Sequence, residues 1–169
     1  MPVPKVQYYI SKLGLIPHPE GGFYKEFYRS GEIFVKNYLP ERYSGDRNFS
    51  TSIYFLLSDK NVSNFHRIQS DELWHFYNGS GLIIYVLNDN QGLTTIYLGN
   101  DLESNENYQV VIKAGDWFAA ELKDKSSFAL VGCTVAPGFN FSDFELAKRD
   151  ILLNKFSEYK DLIMQFTRS

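Results

Sequence analysis

The chain has one cysteine, three histidines and no lysine- or arginine-rich run among its 169 residues, and each scarcity excludes something. With Cys133 alone, no intrachain disulfide can form, and a reducing compartment is expected. Binding to nucleic acid requires a basic footprint that neutralises phosphates. The net charge here is −3, and the densest basic spot, Lys148-Arg149, reads as a solvated helix face. Neither nucleic acid nor an anionic membrane surface is therefore an expected partner. Apolar runs such as Leu82 to Leu87 fall far short of the roughly 20 residues that cross a bilayer. The opening MPVPKVQYYISKLG lacks the continuous apolar core of a signal peptide. No membrane partner and a cytoplasmic location are expected. Gly-x-Ser-x-Gly, P-loop and dinucleotide-binding fingerprints are missing too, which removes support for hydrolase and nucleotide-motif readings.

What is present suits one domain over residues 1–169. Hydrophobic residues make up 44% of the chain and aromatics 17%, spread along its length as packing groups. Val6, Tyr9, Ile10 and Leu13 recur at helical spacing with Gly14 placed to end the helix, predicting a helix over about 4–14. Near the other end, Ser142-Asp143-Phe144-Glu145 has the pattern of a capping box, and Tyr159, Leu162, Ile163 and Phe166 repeat the helical period. Helices are thus expected within 142–167. Between them run short β-like segments separated by turn chemistry: 52–57, 62–68, 73–77, 82–87, 93–98, 108–112, 117–122 and 128–135. Asn78-Gly79-Ser80-Gly81 reads as a hairpin turn, because Asn and Gly tolerate positive φ. The sum is a mainly β protein, an antiparallel barrel or jelly roll over about 22–138, with short flanking helices at both termini.

The stretch His66-Arg67-Ile68-Gln69-Ser70-Asp71-Glu72-Leu73-Trp74-His75-Phe76-Tyr77-Asn78-Gly79 resembles the first motif of the cupin superfamily, with Glu72 and Gly79 at its spacing. His18-Pro19-Glu20-Gly21-Gly22-Phe23-Tyr24, Asp71-Glu72-Leu73-Trp74-His75-Phe76, Val131-Gly132-Cys133-Thr134-Val135-Ala136-Pro137-Gly138-Phe139 and Asp143-Phe144-Glu145-Leu146 are together similar to the Cupin_5 (DUF985) family. The similarity spans about residues 8 to 150. It implies a double-stranded β-helix of the RmlC-like cupin kind, a homodimer, and no settled activity. It does not carry over the superfamily's usual metal centre. The position that would supply the first His of His-x-His is Asn64, and no histidine follows His75.

Candidate site residues follow from the same segment. An acid–base reading pairs His66 with Glu72 or Glu121, since imidazole beside carboxylate moves protons near neutral pH. Tyr54, Tyr77 or Tyr85 could serve as the opposing acid. Glu20, Trp74, His75, Phe76 and Tyr85 are expected to line a ligand pocket with aromatic walls and few polar anchors. If a divalent metal binds, its ligands would be His66, Glu72 and His75; no cofactor is firmly implied. That set needs a β-bulge, because Glu72 and His75 fall on opposite faces of a regular strand. Arg67 is expected in a surface salt bridge with Asp71, and Cys133 in the core as a small hydrophobe. The expected function is binding of a small polar metabolite, a carbohydrate or nucleotide-linked sugar, with epimerisation or isomerisation by proton transfer. The alternatives are a metal-dependent oxygenase or isomerase, and a non-catalytic ligand sensor dimer.

Overall fold

A computed structural model describes residues 4–59 and 61–168. Helix α1 (Pro4–Leu13) precedes the strands β1 (Ile16–Pro17), β2 (Phe23–Arg29), β3 (Ile33–Phe34), β4 (Arg47–Asn48), β5 (Thr51–Ser58), β6 (Ser63–Arg67) and β7 (Asp71–Gly79). They are followed by β8 (Leu82–Asn88), β9 (Gly92–Leu98), β10 (Gln109–Ile112), β11 (Trp117–Leu122), β12 (Phe128–Ala136) and β13 (Glu145–Leu146), then by helices α2 (Arg149–Lys155) and α3 (Lys160–Gln165).

Two antiparallel sheets face one another. One has the order β1-β2-β5-β12-β7-β10 and the other β13-β6-β11-β8-β9; β3 and β4 form a separate ribbon. The sheets do not join into a closed cylinder. From β5 to β12 the chain changes sheet at every connection except β8–β9, the one hairpin in that run. This alternation is the jelly-roll double strand expected from the sequence. It also corrects the reading of Asn78 to Gly81. That turn does not fold β7 back on β8; it carries the chain from one sheet to the other. Gly79 has φ +102°, and a Cβ there would overlap the Phe128 carbonyl, so the backbone makes this corner only with glycine. The Ser80 amide then donates to that same carbonyl, 2.7 Å.

Side chains alternate as β geometry demands, and the inward set forms the main core: Phe55, Leu57, Trp74, Ile84, Phe118, Val131 and their neighbours. Two further clusters lie outside the sheets. Helix α1 puts Val6 against Leu15, Leu56, Phe128 and Leu130 on the six-stranded sheet, and Gly14, at φ +63°, ends it as expected. Helices α2 and α3 put Leu152, Ile163 and Phe166 against Phe65, Leu87 and Trp117 on the five-stranded sheet.

The C-terminal expectation needs one correction. Ser142 and Glu145 do not form a capping box. Asn140 accepts the Ser142 amide at 2.9 Å to start a single 3-10 turn, and Glu145 lies in β13, paired with Arg67 of β6. The helix begins only at Arg149. Strand pairing wins because β13 completes the edge beside β6, which outweighs a local cap. Among the described residues no helix is long and apolar enough to cross a membrane.

Candidate functional site

A cavity of about 440 Å³ opens between the sheets at one end, within the range typical of small-molecule pockets. Its polar wall comes from β6 and the turn between β1 and β2. That turn, His18-Pro19-Glu20-Gly21-Gly22, is closed by the Gly21 amide donating to the His18 carbonyl, 3.0 Å. Gly21 and Gly22 both have positive φ, and a Cβ on Gly21 would overlap the Val62 carbonyl. The paired glycines therefore let the turn press against the backbone entering β6 and deliver the Glu20 carboxyl inward. The Glu20 carbonyl in turn accepts from the Asn64 amide at 2.9 Å and from its side-chain nitrogen at 2.6 Å.

Glu20 is the centre of a buried cluster. Its Oε1 accepts from Ser63 Oγ at 2.7 Å, and its Oε2 lies 3.0 Å from His66 Nε2 and 3.2 Å from His18 Nδ1. Ser63 and His66 reach the same carboxyl because β6 carries a bulge. Its residues 63 and 66 pair with Ala120 and Phe118, so three steps of β6 oppose two of β11. Burial pushes the Glu20 pKa up, but His66, His18 and Ser63 outweigh it and hold the group below the usual carboxylate range. Burial pushes the His66 pKa down, and Glu20 and the Asn64 carbonyl only partly restore it. His66 Nδ1 lies 2.8 Å from that carbonyl, so both ring nitrogens face acceptors. A neutral imidazole has one N–H and can satisfy one of them. With its proton affinity lowered, His66 carries a single N–H, and one of the two acceptors goes without a donor.

The facing wall is β7 and β12. Glu72 and Trp74 point into the cavity from the same face of β7, with Cys133 beside Trp74 on β12. Burial, reinforced by the negative charge of Glu20, pushes Glu72 up to about 8, with Trp74 and Cys133 pulling it part way back. Glu72 is therefore a carboxylic acid at neutral pH. Burial pushes the Cys133 thiol well above its ordinary value, so this buried sulfur is a neutral packing group. At the mouth stand Phe139, Phe141 and Phe144, with the His18 ring stacked 6.2 Å from that of Phe141. Arg29 fixes this rim by donating to Glu26 at 3.0 and 2.8 Å, to Asn48 at 2.7 Å and to the Phe139 carbonyl at 3.1 Å.

The structure brings together only part of the expected set. His66, Glu72, Trp74 and Glu20 share the cavity. Phe76 keeps the face of Trp74 but packs deeper, against the main core. His75 is on the opposite face, its Nε2 3.1 Å from Thr134 Oγ1. The bulge that could have turned it inward occurs beyond it, at Tyr77, where Phe76 and Asn78 pair with adjacent residues of β12. Glu121 and Tyr85 are bonded to each other at 2.9 Å on the outer face of the five-stranded sheet, beneath α3, and do not reach His66. Tyr54 and Tyr77 pack together outside the other sheet. Arg67 pairs with Glu145 at 2.6 Å rather than with Asp71, which Lys113 takes. His18 and Ser63 are site residues that sequence reasoning missed; the His-Pro-Glu-Gly-Gly turn was the available signal for the first.

These positions bear on a metal. His66, Glu72 and His75 cannot converge, because strand alternation separates the last two. Asn64 occupies the place of a ligand histidine and donates its amide to Glu20 instead. Among the described residues no three His, Cys, Asp or Glu side chains have the spacing of a ligand set. The donor set does not fit a three-His, one-Glu centre.

A family model described as Cupin superfamily (DUF985), Cupin_5, matches residues 7–147. The uncharacterised protein YML079W of Saccharomyces cerevisiae is 31% identical, over 88% of this chain and 79% of that one. The crystal structure of protein SO0799 from Shewanella oneidensis is similar at TM-score 0.84 and 38% identity, covering 96% of each chain. A hypothetical protein from Leishmania major reaches TM-score 0.86 at 30% identity, covering 96% of this chain and 98% of that one. Oxalate decarboxylase from Bacillus subtilis matches at TM-score 0.53 and 11% identity over 89% of this chain and 36% of its own, a likeness of fold alone.

Proposed function

Since this chain belongs to the Cupin_5 family of the cupin superfamily, we propose its function from the cavity. The protein binds a small polar metabolite there, of the carbohydrate or nucleotide-linked sugar class, and isomerises or epimerises it by proton transfer. One observation carries this reading. Two buried carboxyl groups line a single cavity with their proton affinities driven apart, Glu20 below and Glu72 above the ordinary value. Groups separated in this way form an acid and a base that coexist at one pH. Glu20 with His66 takes the proton; Glu72 supplies one.

Incubation in deuterium oxide with a panel of aldoses, ketoses and nucleotide sugars tests this. Carbon-bound deuterium should appear in a true substrate and vanish in His66→Ala. Exchange undiminished in that variant removes His66 as part of the base. Saturable binding with no exchange would assign the cavity to a ligand sensor instead.

The homodimer implied by the family resemblance is also part of this proposal. Phe27 and Tyr38 are 71% and 87% exposed, and Ile33, Phe34 and Val35 expose a further apolar edge on the β3–β4 ribbon. Apolar patches of that kind commonly meet a partner. Light scattering that returns a monomer mass at micromolar concentration would refute it.

A further inference from the structure

His18 holds a ring nitrogen that no group of the protein engages. Its backbone is tied into the turn at both ends, the amide donating to the Gly22 carbonyl and the carbonyl accepting from Gly21, each at 3.0 Å. Tyr24 and Phe144 stand edge-on to its ring at 4.5 and 5.8 Å, and Phe141 stacks on it. The side chain is only 6% exposed. Nδ1 lies 3.2 Å from Glu20 Oε2 and 3.3 Å from the Glu20 amide nitrogen. The carboxylate is the stronger claimant, because a hydrogen bond to an ionised acceptor is roughly twice as strong as a neutral one. It fixes the proton on Nδ1 and leaves Nε2 with the lone pair. Among the described residues Nε2 has no hydrogen-bond partner, and Trp74 Nε1 is the one buried, unpartnered side-chain nitrogen or oxygen that is sealed off. His18 Nε2 is therefore open, and the space before it is the cavity that its ring lines. His66 differs: its two nitrogens face the Asn64 carbonyl at 2.8 Å and Glu20 at 3.0 Å, so neither is free to meet a substrate.

We propose that His18 Nε2 is the base atom that meets the substrate, taking a proton from a carbon beside a carbonyl group. This rests on the proton-transfer reading and names the atom at which the Glu20–His66 pair receives its proton. His18 and His66 share one oxygen, Glu20 Oε2, while Ser63 holds the other. Charge arriving on His18 is thus met by a carboxylate that His66 and Ser63 keep in place. In this arrangement His66 and Ser63 are positioning residues, Glu20 orients the base, and the aromatic clamp keeps Nε2 aimed into the cavity.

The chemistry closes without a co-reactant. As the C–H bond breaks, its proton bonds to Nε2. The C–H electron pair becomes the C=C bond of an enolate, and the carbonyl π pair moves to oxygen. The Nδ1–H stays on Glu20, so the imidazolium forms beside a fixed negative charge. Return of a proton from Nε2 to carbon reverses each step, and an imidazolium that has first exchanged with solvent carries deuterium into the substrate.

Diethyl pyrocarbonate acylates an imidazole nitrogen that has a free lone pair, so it probes the full chain without a substrate. Peptide mass mapping should find His18 ethoxycarbonylated well before His66. An unmodified His18, or His66 reacting first, overturns the assignment. The second arm uses the panel of aldoses, ketoses and nucleotide sugars in deuterium oxide. His18→Asn keeps an amide N–H near the Nδ1 position and removes the base, and its exchange should fall about 10²- to 10⁴-fold. His18→Ala should lose as much, and 4-methylimidazole in the medium should restore part of it saturably, because the vacated space opens on the cavity. His66→Ala should not respond, since that ring lies behind Glu20. A residue that only held the fold would show no such rescue. Exchange retained in His18→Asn, or rescue of His66→Ala alone, removes His18 as the base and leaves proton transfer standing. Exchange absent from every compound with the parent chain defeats proton transfer itself, and His18 as its base with it.

Discussion

The five-stranded sheet carries a buried polar cluster on each face, and the two differ in how completely they are satisfied. On the outer face, Glu121 accepts from Tyr85 at 2.9 Å, from Gln165 at 3.2 Å and from Lys125 at 2.8 Å, so both oxygens are engaged. Burial and that carboxylate push Tyr85 up to about 12, fixing it as a permanent donor. On the inner face, a His66 ring with one N–H faces two acceptors, the Glu20 carboxylate and the Asn64 carbonyl, and across the cavity the buried Trp74 Nε1 makes no well-aligned hydrogen bond. A saturated network contributes to the fold by holding α3 on the sheet. An unsaturated one bears a cost in the resting protein that a proton or ligand removes. The difference separates architecture from chemistry on two sides of one sheet.

The largest effects should come from the unsaturated side. His66→Ala should reduce proton exchange by about 10²- to 10⁴-fold, the usual contribution of a positioned acid–base group. Its melting temperature should change far less. Glu20→Gln should reproduce the loss, because the amide can neither draw a proton to the pair nor hold a charge. If exchange in Glu20→Gln stayed within threefold of the parent, the inner cluster would be architectural and the contrast would fail.

Glu72 makes the next prediction, one of pH. Its folded pKa, about 8, is raised above the ordinary carboxylate value of 4.5, so between these values the native state holds a proton that the unfolded chain has released. Stability must then fall as pH rises through that window, and it levels off once Glu72 ionises near pH 8. Each tenfold difference in proton affinity between the folded and unfolded chain is worth about 1.4 kcal/mol, so the loss amounts to a few kcal/mol for so buried a group. Urea midpoints from pH 5 to 9 should show this slope in the parent and a flatter profile in Glu72→Gln. Exchange activity should decline above pH 8 as the donor is lost. Parallel pH profiles for the two proteins would mean that Glu72 ionises normally.

How much of this was legible beforehand depends on which geometry each residue obeys. Glu72 and Trp74 followed from simple alternation along β7; the same alternation turns His75 outward, against the expectation that it lines the pocket. The jelly roll itself followed from strand spacing and turn chemistry. The partner of His66 did not. Glu121 appeared suitable as a carboxylate on a nearby inner strand, but in β11 it alternates outward, toward α3. Glu20 stands 46 positions before His66, and it reaches the cavity only because paired glycines shape its turn and a bulge redirects β6. Bulges shift register by one residue without a reliable local signature, so alternation fails wherever one occurs. The capping-box pattern at Ser142 failed for a different reason, since β13 gained long-range pairing that no local window contains.

The smallest effect belongs to the saturated side. Glu121→Gln keeps the shape of the side chain and one acceptor oxygen while deleting the charge. Lys125 is more than half exposed, so losing that ion pair should cost little. Tyr85 and Gln165 retain an acceptor. The expected destabilisation is about 1 kcal/mol, read as a small shift in urea midpoint, with deuterium exchange unchanged. Glu121→Ala should cost more, about 1–3 kcal/mol, because the Tyr85 hydroxyl and the Gln165 amide then lose their shared acceptor beneath α3. Its exchange rate should still match the parent once measured well below the melting point. A change in exchange from either variant would show that the outer cluster communicates with the cavity through β11, and the division between the two faces would have to be abandoned.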